Sequence, residues 1–103
     1  MNSKEDQIVQ YILLRSDLKW NFGSLVAQAC HASTATIVEN INKDVVRNYT
    51  KDVDNMRKVV LSCPDETTLK NVSLELKSNN IPHKLWIEKP EGIPTCIATM
   101  EQI

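Results

Sequence analysis

The order of apolar and polar segments along the chain predicts strands that alternate with helices. Residues 8–14 are almost all apolar, which is typical of a central strand covered on both faces. A helix is predicted from about residue 23 to about residue 40. The charged segment 42–54 carries apolar residues at helical spacing, which indicates a second and more exposed helix. Residues 57–63 form the next apolar run and are predicted to be a strand.

The C-terminal part of the chain predicts one more helix and two short strands. Pro64 and the acidic residues after it favour a helix start, because proline and carboxylates suit the first helical turn. The apolar stripe of this helix consists of Leu69, Val72 and Leu76. Residues 78–80 end the helix, and Pro82 blocks its continuation. Residues 83–88 and 95–100 are predicted to be strands.

These elements predict an α/β fold with three layers, α/β/α, around a mixed sheet of about four strands. Strands separated by helices favour parallel neighbours with helices on both faces of the sheet. The last two strands are joined by too short a connection for a parallel crossover, so at least one antiparallel pair is expected. We interpret residues 1–7 as a polar N-terminal tail and residues 8–103 as one domain, since 103 residues fit one core.

Composition argues against several classes of protein. The 42% apolar and 24% charged residues are ordinary for a globular protein, and no apolar run approaches the roughly 18 residues of a membrane helix. The polar start lacks the apolar region of a signal peptide. The three cysteines are odd in number and lack CxxC spacing, which argues against a disulfide framework or a zinc site. We therefore expect a cytoplasmic protein with no cofactor and no membrane partner.

The net charge argues against a nucleic-acid partner without excluding one. The chain carries 12 basic and 13 acidic residues, a net charge of −1. Proteins that bind nucleic acids usually carry a basic excess, because the neutralisation of phosphates supplies much of their affinity. The candidates for a local basic face are Arg15, Lys19, Arg57, Lys58, Lys84 and Lys89.

The segment 15–32 carries the most informative pattern. Ser24, Gln28 and His31 lie at i, i+4 and i+7, so they share one face of the predicted helix. Small residues occupy most of the other positions and allow close packing on a sheet. A buried strand that leads into a helix N-terminus with polar groups on one face is a common ligand site in α/β proteins. We interpret His31 as a buried, hydrogen-bonded residue below that site and Trp86 as a core residue.

This segment resembles the strand-loop-helix signature of the type 2 peptidyl-tRNA hydrolases, the archaeal and eukaryotic kind. The family pattern reads R-T-D-L-K-M-G-K-G-K-x-A-A-Q-x-x-H-A. The residues that match it in register are Arg15, Asp17, Leu18, Lys19, Gly23, Ala27, Gln28, His31 and Ala32. Residues 57–69 are similar to the family's K-V-V-L-x-x-P-D-E-x-x-L block, and residues 83–95 stand at its acidic loop and final strand. The sequence of residues 26–32 and 83–88 is most similar to the divergent eukaryotic branch of the family, which is named peptidyl-tRNA hydrolase domain-containing.

The resemblance implies the family fold and hydrolysis of the ester bond of peptidyl-tRNA, which releases free tRNA and peptide. The implied partner is the tRNA 3′ end with its attached peptide, and a homodimer is an option whose interface no residue identifies. The catalytic residues would be Gln28, Glu88 and Thr95. The substrate-binding residues would be Lys19, Trp20, Phe22, Ser24 and Lys89.

Each implied role has a structural alternative. Gln28 stabilises the developing oxyanion, or it caps a neighbouring backbone group. Glu88 activates water, or it is a solvated acid at a strand end. Thr95 positions water or substrate through its hydroxyl, or it is simply a strand former. Trp20 and Phe22 stack on the terminal adenine of tRNA, or they staple their loop to the core.

The chain departs from the family pattern at residues that carry the chemistry. Phe22 and Ser24 replace the two lysines of the family's G-K-G-K turn, which leaves Lys19 or Lys89 to supply positive charge. The acidic loop is shorter, and Glu88 stands in place of its aspartate. Two other functions therefore stay open at this point. One is a tRNA-end or protein binding module that keeps the hydrolase fold with weak or no catalysis, and the other is hydrolysis of a smaller acyl ester.

Overall fold

A computed structural model describes residues 7–102 of the chain. Its elements in chain order are β1 (Ile8–Arg15), α1 (Phe22–Glu39), α2 (Asp44–Lys51), a 3-10 turn (Val53–Asn55), β2 (Arg57–Cys63), α3 (Glu66–Ser78), β3 (His83–Glu88), β4 (Ile93–Thr99) and β5 (Glu101–Gln102). The predicted α/β class with a mixed sheet is confirmed. The tail that we predicted at residues 1–7 lies outside the described residues except for its last residue.

The sheet is mixed, with the strand order β2-β1-β4-β3. Strand β2 runs parallel to β1, whereas β4 runs antiparallel to both β1 and β3. The expected antiparallel pair of the last two predicted strands is therefore confirmed. The short strand β5 pairs with the start of β1 and was not predicted, since two residues are too few to form a recognisable pattern.

The core is divided by the sheet into two faces. On one face Ala32 of α1 packs on Ile12 of the central strand. On the other face Leu69 of α3 packs on Ile97, and Leu13 joins them from the strand that also carries Ile12. Alternate residues of β1 thus serve opposite layers, as expected for a strand covered on both faces. Each fully buried aliphatic side chain contributes about 1.5–3 kcal/mol to this packing.

The helices begin and end where the sequence indicates, with local adjustments. Asn21 caps α1, because its side chain accepts a hydrogen bond from the backbone N–H of Ser24 at 2.8 Å. Asp65 caps α3 in the same way, so the helix start predicted after Pro64 is confirmed. The second helix is shorter than the predicted 42–54, and it closes one end of the core by burying Val46 against the end of β4.

A β-bulge in the pair of β3 and β4 redirects the side chain of Thr95. Trp86 lies opposite Cys96, but Ile87 lies opposite Pro94, so Thr95 has no residue opposite it. An extra residue of this kind bends the strand and redirects its side chain. Regular alternation would place Thr95 on the α3 face with Ile97, whereas its side chain contacts α1 instead.

Candidate active site

A cleft of about 470 Å³ opens between the loop after β1, the first half of α1 and the end of β3. The predicted site residues that line it are Lys19, Trp20, Ser24, Gln28 and Glu88. The structure therefore brings together the proposed amide on α1 and the proposed acid on β3, which are sixty residues apart in the chain. Four lining residues were not predicted as site residues, namely Asn21, Ala27, His31 and Glu91.

Gln28 is buried at the floor of the cleft and is only 3% exposed. Its Oε1 accepts a hydrogen bond from the Thr95 hydroxyl at 2.7 Å. Thr95 is completely buried, so it lies behind Gln28 and not on the cleft surface. No acceptor among the described residues binds the amide Nε2 of Gln28, although every fully buried polar side-chain atom there has a partner. The amide nitrogen is therefore not fully buried, which fits its place on the lining of the cleft.

Glu88 is held in place by Trp86. The indole Nε1–H donates to Glu88 Oε1 at 2.9 Å, which leaves the other carboxylate oxygen without a donor among the described residues. A hydrogen bond to a charged acceptor is stronger than one between neutral groups, so it fixes the carboxylate well. Trp86 is half-buried at the edge of the core and not inside it, which corrects part of the prediction for this residue.

His31 is exposed on the cleft, so its predicted burial below the site is wrong. Its ring stacks on Trp86, with 4.7 Å between the ring centroids and 15° between the ring planes. Helical spacing correctly placed His31 on the face of Gln28, but it did not show that β3 leaves this turn of α1 uncovered. The aromatic partner from β3 could not be inferred from spacing within one helix.

Two predicted substrate-binding residues are not in the cleft. Phe22 is 82% exposed and does not line the cleft, so it is not a staple between its loop and the core. Lys89 lies beside Glu88 in sequence but lines a groove along the outer edge of β3. Glu88 lines both the cleft and this groove, whereas Lys89, in the turn after β3, lines the groove and not the cleft. Trp20 is half-buried and remains available to a ligand.

The electrostatic balance of the cleft is acidic. Glu88 and Glu91 face a single lysine, Lys19. The first turn of α1 carries no acidic residue, so the positive end of its dipole adds a partial charge on this side. The predicted basic face does not form as a set, because several candidates are engaged elsewhere: Arg15 with Asp17, Lys58 with Gln10, and Lys84 with Glu39.

Arg15 anchors the loop that carries Lys19 and Trp20. Its guanidinium donates to both carboxylate oxygens of Asp17 at 2.9 and 2.8 Å and to the carbonyl of Pro94 at 2.9 Å. The hydrogen bond to Asp17 raises the pKa of Arg15, and the same bond lowers the pKa of the Asp17 carboxyl. The end of β1 is thereby tied to the start of β4, directly below the cleft.

Within residues 7–102, no group of three or more His, Cys, Asp or Glu side chains is arranged to hold a metal ion. No helix in that part of the chain is long and apolar enough to span a bilayer. The three cysteines are free thiols, of which Cys63 and Cys96 are buried. Burial raises the pKa of Cys96 to about 12, so this thiol is not a nucleophile at neutral pH.

Comparison with known proteins identifies the family. The model of the family "Peptidyl-tRNA hydrolase PTH2" matches residues 8–101. A human protein named "Putative peptidyl-tRNA hydrolase PTRHD1" is 49% identical over 96 residues, which cover 88% of this chain and 69% of the human protein. Its mouse counterpart is 48% identical over the same length.

A more distant relative is the "Peptidyl-tRNA hydrolase" of Methanothermobacter thermautotrophicus. It is 30% identical over 93 residues, which cover 85% of this chain and 80% of that protein. The matched residues run through every strand and helix that frames the cleft. The resemblance stated from the sequence is confirmed, and the chain belongs to the peptidyl-tRNA hydrolase PTH2 family.

Proposed function

We propose that this protein hydrolyses the ester bond of peptidyl-tRNA or N-blocked aminoacyl-tRNA and releases free tRNA and peptide. The observation that supports this most is the pairing of two groups in one cleft. Gln28 offers unpartnered amide donors, and Glu88 offers a carboxylate fixed by Trp86. Ester hydrolysis requires both a base for water and a donor for the oxyanion.

The proposed chemistry assigns each step to a side chain. Glu88 removes a proton from water, and the resulting hydroxide attacks the ester carbonyl carbon. The Nε2–H groups of Gln28 donate to the oxyanion that develops on the carbonyl oxygen. Thr95 acts through Gln28, because its hydroxyl holds Oε1 and thereby directs the amide donors into the cleft.

Substrate binding is assigned to the loop and the first turn of α1. Lys19 pairs with a phosphate of the tRNA 3′ end, and Trp20 stacks on its terminal adenine. Ser24 contributes a hydroxyl at the same wall of the cleft. Lys89 and Phe22 stay candidates only for more distant contacts with the tRNA body, since neither lines the cleft.

One observation favours a second function, a tRNA-end or protein binding module without efficient catalysis. The cleft contains two carboxylates and one lysine, a balance that repels the phosphates of tRNA. The hydrolysis of a smaller acyl ester would avoid that repulsion. The three functions differ in whether ester cleavage occurs and in whether it depends on tRNA.

The test is single-turnover hydrolysis of a purified N-blocked aminoacyl-tRNA by the wild type and by Glu88→Gln. The amide still accepts the Trp86 hydrogen bond but cannot take a proton, so we expect the rate to fall about 100-fold or more. Glu75→Gln, an exposed position on α3, is the matched control and should keep the wild-type rate.

The outcomes test the role of Glu88 and distinguish the three functions. An unchanged rate in Glu88→Gln would remove Glu88 from the mechanism. Folded wild-type protein without turnover, but with affinity for a tRNA acceptor-stem minihelix, would establish the binding module. Cleavage of blocked aminoacyl esters that tRNA neither accelerates nor inhibits would establish the smaller substrate.

A further inference from the structure

The proposed hydrolysis leaves one chemical task without an assigned group. When the tetrahedral intermediate collapses, the bond between the carbonyl carbon and the ribose oxygen breaks. A ribose alkoxide is a poor leaving group, so its departure requires a proton donor in the cleft. Gln28 is committed to the oxyanion, so the remaining donors are Glu88, which has taken the proton of water, and any second acid that lines the cleft.

His31 is the lining residue whose chemistry fits this task. Imidazole side chains change charge between about pH 5 and 8, so they can give a proton and regain it in each cycle. His31 is exposed on the cleft, and no hydrogen bond to a described residue occupies its ring nitrogens. Apart from Glu88, the other lining residues suit the task less well, because an ammonium is a weaker acid than an imidazolium and a hydroxyl is weaker still.

Trp86 connects this histidine to the proposed base. The face of its indole stacks on His31, and the N–H at its edge donates to Glu88. One rigid ring therefore sets the positions of both groups on the same side of the sheet. A protonated imidazole on an indole face is also a favourable cation–π arrangement, so the stack tolerates the charged form.

We propose that His31, as an imidazolium, donates a proton to the ribose oxygen of the departing tRNA, and that Trp86 is the positioning residue for both His31 and Glu88. This inference rests on the proposed hydrolase function. In the first step a water proton moves to Glu88, and the water oxygen bonds to the carbonyl carbon. In the second step the bond to the ribose oxygen breaks while the His31 proton moves to that oxygen. Glu88 then releases its proton to solvent and His31 takes one up from solvent, so both groups regain their starting forms and the sum is ester plus water giving acid plus alcohol.

The alternative is that His31 only covers the apolar face of Trp86. His31→Phe separates the two, because phenylalanine keeps an aromatic ring on the indole but carries no proton to donate. We expect the single-turnover rate at saturating protein to fall about 100-fold, while the protein concentration at half-saturation changes less than twofold. His31→Gln serves as a second variant that keeps polarity without the stack, and we expect the same fall.

The pH profile adds a readout that a covering role would not change. The charged groups that face His31 across the cleft are Glu88 from β3, Glu91 from the following turn and Lys19 from the loop after β1. We expect the wild-type rate to decline as the pH rises, because only the protonated imidazole can donate. His31→Phe should lack that decline. Trp86→Phe should keep it, with a rate about tenfold lower because Glu88 has lost its donor.

The outcomes separate this inference from the function on which it rests. Wild-type turnover that is abolished in Glu88→Gln but unchanged in His31→Phe would overturn the inference and keep the hydrolase. A fall in rate together with a large rise in the protein concentration at half-saturation would also overturn it, since His31 would then bind substrate. Folded wild type without turnover would overturn both.

Discussion

Two buried glutamines, Gln10 and Gln28, differ in a way that separates scaffold from site. Gln10 on β1 is 0% exposed and Gln28 on α1 is 3% exposed, so burial does not distinguish them. Both are held by a hydroxyl from another element, Ser33 for the first and Thr95 for the second. The difference lies in what each amide leaves unbonded.

The amide of Gln10 is bonded within the protein on both its nitrogen and its oxygen. Its Nε2 donates to the backbone carbonyl of Ser33 at 3.2 Å, and its Oε1 accepts from the Ser33 hydroxyl at 2.5 Å and from Lys58 Nζ at 2.6 Å. Tyr49 lies within 3.4 Å of the same Nζ. Desolvation lowers the pKa of Lys58, although the residue as a whole is still exposed on the edge strand β2.

Gln28 is bonded on its oxygen side only. A half-satisfied buried amide costs stability unless water or a ligand completes it. The protein meets that cost at the cleft and avoids it at the Gln10 cluster, which is the pattern expected of a binding site on a rigid scaffold. The pattern of hydrogen bonds, and not burial, therefore distinguishes the glutamine that we propose as functional.

The largest effect that would test this comparison is on catalysis, with Gln28→Met. Methionine has a similar shape but no donors, so we expect the single-turnover rate to fall about 100-fold and the free energy of unfolding to fall by about 1 kcal/mol. Rates with N-blocked aminoacyl-tRNA and urea unfolding curves measure the two. Gln28→Glu, which still accepts from Thr95, should lose activity to at least the same extent; a wild-type rate in either variant would contradict the role of the amide donors.

The same substitution at the other glutamine should reverse the pattern. Gln10→Met removes an acceptor from Lys58 and from the Ser33 hydroxyl, and it leaves the Ser33 carbonyl without its amide donor. We expect the free energy of unfolding to fall by about 2 kcal/mol. The hydrolysis rate, measured well below the unfolding transition, should stay within about twofold, because each buried network acts locally. A variant that is stable but inactive would show that the two clusters are coupled through α1.

Sequence reasoning predicted the framework well because the framework follows apolar periodicity. The strands at 57–63 and 83–88 have the predicted bounds, since each is an apolar run between breakers. Gln28 and Glu88 were found through the family motif. The contact between Gln28 and Thr95 was not predictable, because it depends on a bulge that interrupts alternation in β4.

The remaining errors at the site concern surfaces made by two elements together. His31 was predicted to be buried, since one helix does not reveal how far β3 extends beside it. Glu91 was missed because it reaches the cleft from the turn after β3, whose path no periodicity describes. Lys89 was placed in the site by its sequence neighbour, although it faces the outer edge of the sheet.

The smallest effect concerns Arg15, a third buried polar group that is bonded to partners within the protein, and it sharpens the comparison through pH. The hydrogen bond from Arg15 lowers the pKa of Asp17 below its ordinary value of 3.8, so the folded state binds that proton less readily than the unfolded chain does. The stability that the pair provides is fully present above the unfolded pKa and is lost as the pH falls through the lower, folded pKa. We expect the difference in unfolding free energy between the wild type and Asp17→Asn to be constant above about pH 5 and to close below 3.8.

Urea unfolding of both proteins from pH 7 to pH 2.5 would measure that difference. The pKa of Asp65 is also lowered, by its bond to the Thr68 backbone, but this carboxyl is present in both proteins and cancels. The effect is small because the Asp17 side chain is 37% exposed to screening solvent. A difference that persists at pH 2.5 would mean that Asp17 acts through shape and not through charge.

Because Arg15 keeps its bond to the Pro94 carbonyl in the variant, the loop should still carry Lys19 and Trp20 to the cleft. Hydrolysis at pH 7 should therefore stay close to the wild-type rate. The same is expected for a variant of any side chain whose hydrogen-bond partners lie within the scaffold.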